Sequence, residues 1–286
     1  MGKGETMKRK GFYSGILFLV LLFGFSVAET AQAQRVRIGG TGFGLGVMKI
    51  LGAVFEKSHP EVKIEVIPSL GSSGGIRALL HGALNIAVSG RPLVGKESGK
   101  GADAKELVKS PFFFIANKSV TKEGLTLQEL EKIYRGETLT WPDGKRIRLV
   151  LRPETDTVTK MVRELSPGMS QAVNVAMSRE GMIHAITDQE SANIVEKIPG
   201  TLAASTLIQV YSEKRQVRIL SFNGIDPGVK SLSDGTYPLS LSLYLVTPSK
   251  MPQTVQKFLD FIYSDKGVRI LTKNGNMVVR NSKSGG

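Results

Sequence analysis

The strongest constraint on the fold of this 286-residue chain is an alternation of strand and helix signals joined by glycine-rich turns. Residues 36–55 predict a strand, a glycine-rich turn over 39–46, and then apolar residues at helical spacing. Residues 62–80 repeat this unit with a second glycine-rich turn at 71–75, and a third strand follows at 84–89. This order predicts parallel strand pairing, with helix amino ends facing one crevice.

The rest of the chain continues the alternation. A capping box over 126–129 opens a helix that Gly136 ends. A strand over 147–151 leads into residues 152–157, where another helix begins with Thr155 or Thr157 as its cap. Further strands are predicted at 112–116, 217–222 and 239–246, and further helices around residue 194 and at 252–263.

Residues 1–33 have the layout of a secretory signal peptide. Lys8, Arg9 and Lys10 precede an apolar stretch over 15–28, and Ala31 and Ala33 frame a cleavage site. The apolar stretch is shorter than the roughly 20 residues that a membrane-spanning helix needs. We therefore expect export to the periplasm and a mature chain that begins near Gln34.

Composition narrows the function. The absence of cysteine excludes cysteine-ligated metal sites, and we expect no cofactor. Removing residues 1–33 takes away four basic and two acidic side chains, so the formal charge falls from +13 to +11. No block of basic residues occurs, which argues against nucleic acid as a partner of this exported monomer. The positive charge indicates either that the protein binds anions or merely that it has a solvated basic surface, and composition alone does not separate the two.

Three turns could together hold a small anion. Two are the glycine-rich turns at 39–46 and 71–75, and the third joins Arg152 to the hydroxyl residues after it. Glycine permits close backbone approach, the first N–H groups of a helix lack intrahelical acceptors, and hydroxyls complete the coordination. Any one of these turns alone is an ordinary tight turn, but three in one α/β chain favour a binding site.

At these residues the chain resembles the phosphate-binding-like substrate-binding proteins of bacterial ABC importers, in the type II periplasmic binding protein superfamily. The resemblance rests on the order and spacing of seven segments, namely 40–42, 67–76, 85–93, 125–141, 152–157, 199–201 and 234–239. It implies an α/β fold of two lobes joined by two crossover strands, with lobe 1 over 34–116 and 238–286 and lobe 2 over 117–237. It also implies that an anion is gripped between the lobes and passed to an inner-membrane permease.

The resemblance assigns oxyanion contacts to nine positions. They are Phe43, Gly44, Leu45, Ser72, Gly90, Arg152, Thr155, Asp156 and Thr157. Three depart from the phosphate-specific pattern: Gly44 replaces a hydroxyl residue, Gly90 replaces a carboxylate that accepts the phosphate proton, and Asp156 replaces a glycine in a shortened turn. Asp156 either restores the lost carboxylate or caps the following helix.

Two other functions compete with this hypothesis. Residues 71–75 satisfy the G-x-S-x-G pattern of a hydrolase nucleophile, with Ser73 as nucleophile and Asp156 and His184 following in chain order. However, residues 68–70 separate Ser73 from the preceding strand. A sensor or partner module with a degenerate pocket is the third possibility, whereas the glycines do not fit a dinucleotide-binding pattern.

Overall fold

A computed structural model describes residues 1–3 and 34–279, and the predicted signal peptide falls almost entirely outside this part. Residues 34–279 belong to one compact unit. The strands are β1 Gln34–Gly40, β2 Val62–Val66, β3 Ile86–Ser89, β4 Ala102–Ala116, β5 Gly124–Leu125, β6 Arg148–Leu151, β7 Ile183–His184, β8 Thr201–Thr206, β9 Arg218–Phe222, β10 Ser240–Pro248 and β11 Met277–Val278. The α-helices are α1 Gly42–Glu56, α2 Gly71–Leu80, α3 Leu127–Arg135, α4 Thr157–Arg163, α5 Pro167–Ser178, α6 Asp188–Lys197, α7 Leu207–Ser212, α8 Val229–Ser233, α9 Gln253–Tyr263 and α10 Asp265–Lys273.

The first sheet contains the two repeated units expected from the sequence. β1 pairs in parallel with β2 on one side and with β3 on the other. β10 pairs antiparallel with β3 and with β4, and β11 pairs antiparallel with the other edge of β4. Parallel strands followed by helices bring the amino ends of α1 and α2 to the same edge of this sheet.

β4 connects the first sheet to a second one. Its first ten residues pair with β10, whereas its last five pair antiparallel with β8, which in turn pairs in parallel with β6. The chain returns to the first sheet just before β10, where Leu239 O accepts a hydrogen bond from Phe112 N–H. The mixed α/β architecture confirms the expected fold class, with the two connections between the sheets adjacent in space.

The glycine-rich segments are shorter turns than predicted. α1 begins at Gly42 and α2 at Gly71, so most of these glycines lie in the first helical turns. Gly40 itself needs to be glycine, because its φ is +131° and a Cβ there would collide with Val88 O. A Cβ at Gly75 would lie 2.5 Å from Gly40 Cα, so α2 packs directly on the end of β1.

Local sequence signals located half of the remaining strands and α-helices. Thr126 and Glu129 form the predicted capping box of α3, and Gly136 ends that helix with a φ of +78°. The apolar face of α9 is buried as expected. The sequence analysis missed the helices α5, α7, α8 and α10 and the strands β5, β7, β8 and β11. Their apolar patterns are short or mixed, and they form because of packing against neighbouring elements. Among the described residues, no helix is both long and apolar enough to cross a membrane.

Candidate functional site

The amino ends of α1, α2 and α4 meet beside the end of β3, and most of the expected site residues lie there. Ser72, in the first turn of α2, accepts a hydrogen bond from Gly90 N–H at 2.9 Å through its Oγ. The same oxygen lies 3.3 Å from Thr157 Oγ1 at the start of α4. Residues from both sheets therefore converge on one point.

The first turn contributes its backbone rather than its side chains. Phe43 and Leu45 are buried, and a Cβ at Gly44 would lie 2.6 Å from Leu243 Cδ1. The glycine at position 44 is thus explained by packing against β10. A ligand could therefore contact this turn only through its backbone N–H groups. Among them, Phe43 N–H donates a hydrogen bond to Asp188, which lies beside Arg152.

Arg152 follows β6 and is only 6% exposed. Its Nη1 donates to Ala185 O at 2.9 Å, and its Nη2 donates to Asp156 Oδ2 at 2.8 Å. Its Nε is also buried, and the described residues provide no acceptor for it. The guanidinium is therefore fixed in orientation while one of its donors stays unsatisfied.

Asp156 is both the cap of α4 and a partner of Arg152. Its Oδ1 accepts from Val158 N–H at 2.9 Å, so the expectation that Thr155 or Thr157 is the cap is wrong. The carboxylate is a better acceptor than a threonine hydroxyl here because it can serve the helix end and the guanidinium together. Thr155 is exposed in the preceding turn, and Thr157 is the first residue of α4.

A second carboxylate, which the sequence analysis did not include, completes the site. Asp188 is the first residue of α6 and is 6% exposed. Its Oδ2 accepts a hydrogen bond from Phe43 N–H at 3.0 Å, and its Oδ1 lies 3.5 Å from Arg152 Nη2. Asp188 therefore connects the first turn of the first sheet with the guanidinium of the second.

Burial dominates the electrostatics of Asp188. It raises the pKa of this carboxyl to about 6, because an interior position disfavours the charged form. The positive charge of Arg152 and the Phe43 N–H lower the pKa, whereas the negative charges of Asp156 and Glu213 raise it. Asp188 therefore has a pKa not far below neutral pH. It contacts Phe43 N–H and Arg152, two groups that we expect to donate hydrogen bonds to a bound anion.

The position of Gly90 leaves little room for a side chain. A Cβ there would lie 3.0 Å from Thr157 Cγ2 and 3.1 Å from Phe43 Cε1. A carboxylate like that of the phosphate-specific pattern would need both neighbours to move. The loss of that carboxylate is therefore built into the packing around Gly90.

The hydrolase arrangement suggested by the G-x-S-x-G pattern does not form. Ser73 is exposed, and its Oγ accepts from Arg91 Nη2 at 2.9 Å. A guanidinium only donates hydrogen bonds and does not act as the base of a serine nucleophile. Within the described residues, no hydrogen bond joins Ser73 to His184.

The sequence around Asp188 does not identify it as a site residue, because an acidic residue at the start of a helix has an ordinary structural explanation. Thr187 caps α6, and Glu190 accepts a hydrogen bond from the N–H of Ile186, the residue before the cap. An acidic residue in the first turn of such a helix normally interacts with the helix dipole. No local pattern indicates that α6 directs this residue at a turn 145 positions away.

This mixed α/β fold, with backbone N–H groups, hydroxyls and a buried guanidinium at one crevice, is the fold of periplasmic-type solute-binding proteins. The chain belongs to the PBP superfamily, because the family model described as "PBP superfamily domain" matches residues 26–266. The resemblance recognised in the sequence is thereby confirmed.

Relatives of this chain include phosphate-binding proteins of bacteria. The chain is 22% identical over 279 residues to the phosphate-binding protein PstS of Borreliella burgdorferi, covering 93% of this chain and 99% of the relative. It is 27% identical over 243 residues to PstS of Bacillus subtilis, covering 80% of this chain and 75% of that one.

Solved structures agree on the fold. A protein of Clostridium perfringens, described as a phosphate ABC transporter substrate-binding protein and solved with bound phosphate, aligns with a TM-score of 0.73 at 21% identity. The alignment covers 86% of this chain and all of that one. An ABC-type phosphate transport receptor from Vibrio cholerae aligns with a TM-score of 0.59 at 20% identity, over 85% of this chain and 99% of that one.

Proposed function

We propose that this protein is an exported solute-binding protein that captures phosphate or a similar small oxyanion and delivers it to an ABC permease. The observation that carries the proposal is the unsatisfied Nε–H of the buried Arg152, whose Nη2 lies 3.5 Å from the Asp188 carboxylate that also accepts from Phe43 N–H. Buried polar groups in proteins are nearly always hydrogen-bonded. An oxyanion is the ligand that satisfies a guanidinium, hydroxyls and helix amino ends together.

The energetics of such a site support micromolar binding. Hydrogen bonds to charged groups contribute roughly 1.5 to 3 kcal/mol each. A few of these, less the cost of ordering the site, are consistent with a binding free energy of about −8 kcal/mol, or a micromolar Kd. The backbone and hydroxyl donors impose shape and orientation, while Arg152 supplies the positive charge.

Capture involves closure of two lobes, lobe 1 over 34–116 and 238–286 and lobe 2 over 117–237. The proposal is supported by the two adjacent connections between the sheets, in β4 and just before β10. Contacts between the sheets at Ser72 and Thr157 would break on opening. Small-angle scattering should therefore show a smaller radius of gyration when phosphate is added.

A pair of neighbouring serines provides a sharp test. Ser72 is buried at the site, whereas Ser73 is exposed and bound to Arg91. Ser72→Ala should weaken phosphate binding about tenfold in calorimetric titrations, since one donor is worth about 1.4 kcal/mol. Ser73→Ala is the matched control and should bind like the wild type. Equal loss in both variants, or covalent labelling of Ser73 by a fluorophosphonate, would contradict the proposed site.

One observation favours a second candidate function, a sensor or partner module with a degenerate pocket. Two carboxylates, those of Asp156 and Asp188, already lie within 3.5 Å of Arg152 Nη2. A thermal-shift screen of phosphate, sulfate, molybdate, tungstate and small carboxylates tests this alternative. If none of these anions stabilises the wild type or a variant in which Asp188 is neutral, we would conclude that the protein is a sensor or partner module rather than a transport protein.

A further inference from the structure

We propose that Asp188 is an internal ligand of the oxyanion site. Its carboxylate occupies donors that a bound anion needs and must be displaced or protonated before the anion binds. The inference rests on the proposed function and adds a residue that controls the affinity of the site. It begins from two contacts, between Asp188 Oδ2 and Phe43 N–H at 3.0 Å and between Asp188 Oδ1 and Arg152 Nη2 at 3.5 Å.

The protein provides a fitted position for this carboxylate. A Cβ at Gly42 would lie 2.6 Å from Asp188 Oδ2, so the glycine makes the space that the carboxylate fills. The adjacent Gln189 holds the same turn, because its Nε2 donates to Gly42 O at 2.8 Å. Asp188 is therefore held in place by contacts on both sides of the Phe43 N–H.

The charges around Asp188 explain why it competes with an anion. Arg152 is the positive group in contact with it, Asp156 is a second negative group on Arg152, and Glu213 approaches from the end of α7. Glu213 is itself paired with Arg215 at 2.8 Å. The first turns of α1 carry no charged side chain. With both aspartates ionised, Arg152, Asp156 and Asp188 together carry one net negative charge, which repels an incoming anion.

A proton relieves this opposition. Protonated Asp188 is neutral and interacts more weakly with the Phe43 N–H and with Arg152, so an anion can take its place. Anion binding is therefore coupled to proton uptake by this residue. Because burial raises the pKa of Asp188 to about 6, the coupling acts near neutral pH. Oxyanion affinity should therefore rise as the pH falls through this range.

The test compares sulfate and phosphate binding by calorimetry in the full mature chain and three variants. Sulfate is the main probe because its charge does not change between about pH 5 and about pH 8, so any pH dependence belongs to the protein. Asp188→Asn removes the charge and keeps an acceptor, and Asp188→Ala empties the position. Glu190→Gln is the matched control, since it removes one negative charge from the same helix and keeps a side-chain oxygen that can accept from Ile186 N–H.

We expect Asp188→Asn and Asp188→Ala to bind sulfate at least tenfold more tightly than the wild type at about pH 8, and to lose the gain in affinity that the wild type shows toward about pH 5. Glu190→Gln should change the affinity less than threefold. Binding by the Asp188 variants alone would support the inference equally.

Two results would overturn the inference, and they are distinguishable. If the wild type binds either anion and both Asp188 variants bind it equally or more weakly, Asp188 is not a competitor, and the proposed function survives. If no protein in the series binds either anion at any pH, the proposed function fails and the inference fails with it.

Discussion

Asp156 and Arg152 are held together at the start of α4, where Asp156 Oδ2 accepts from Arg152 Nη2 at 2.8 Å while Oδ1 of the same carboxylate caps the helix. The arrangement fixes the guanidinium relative to a helix amino end, which is where an oxyanion would bind. It also means that the principal cation of the site is partly neutralised by the protein itself.

Removal of Arg152 should damage both stability and binding. Arg152→Ala leaves the buried carboxylate of Asp188 and the partly buried carboxylate of Asp156 without their cation, and it should lower the free energy of unfolding by about 3 to 5 kcal/mol. Phosphate affinity should fall at least tenfold, about 1.4 kcal/mol. Arg152→Lys should recover only part of each, because an ammonium lacks the planar fork that reaches several acceptors. Urea unfolding and calorimetric titration measure the two effects, and wild-type values in both variants would show that the guanidinium has neither role.

Asp156 should show its two roles separately in two variants. Asp156→Asn keeps a good helix cap and loses the charge, whereas Asp156→Ala loses both. The alanine variant should therefore be less stable than the asparagine variant by about 1 kcal/mol, the usual value of an N-cap. Chemical unfolding of the two variants side by side measures the difference, and equal stabilities would mean that the hydrogen bond to Val158 N–H does not stabilise α4.

Gly90 and Thr157 should be energetically coupled. Gly90→Ala places a methyl group 3.0 Å from Thr157 Cγ2, and such overpacking should cost about 1 to 3 kcal/mol. Thr157→Ser removes that methyl group and keeps the hydroxyl near Ser72. The double variant should therefore lose less stability than the sum of the single variants, which thermal or urea unfolding can determine. Strict additivity would place the strain elsewhere, for example against Phe43.

The stability of the protein should depend on pH through Asp188. An unfolded aspartate has a pKa of about 3.9, whereas the folded value is raised to about 6. The folded protein binds this proton more tightly, so the contribution of Asp188 to stability is fully present below about pH 4 and declines as the pH rises to about 6. The wild-type free energy of unfolding should fall across this window relative to that of Asp188→Asn. A constant difference between the two proteins would show that Asp188 keeps an ordinary pKa.

Much of the fold was predictable because its determinants are local. The apolar spacing of α9 and the cap residues of α3 act over a few positions, and both signals predicted their helices correctly. Glycine was less informative, because Gly42 and Gly71 begin helices rather than extend turns. Their role depends on what packs against them, and that partner is far away in the chain.

The amino-acid sequence by itself determined the α/β class and the family, because periodicity, caps and motif order are encoded in neighbouring residues. The lobe boundaries and ligand contacts derived from it stay predictions. Only the tertiary structure decided that Asp156 both caps α4 and binds Arg152, and that Asp188 reaches Phe43 from α6. The physical reason is that the charge, burial and pKa of a site depend on distances between elements remote in sequence, and no local pattern records those distances.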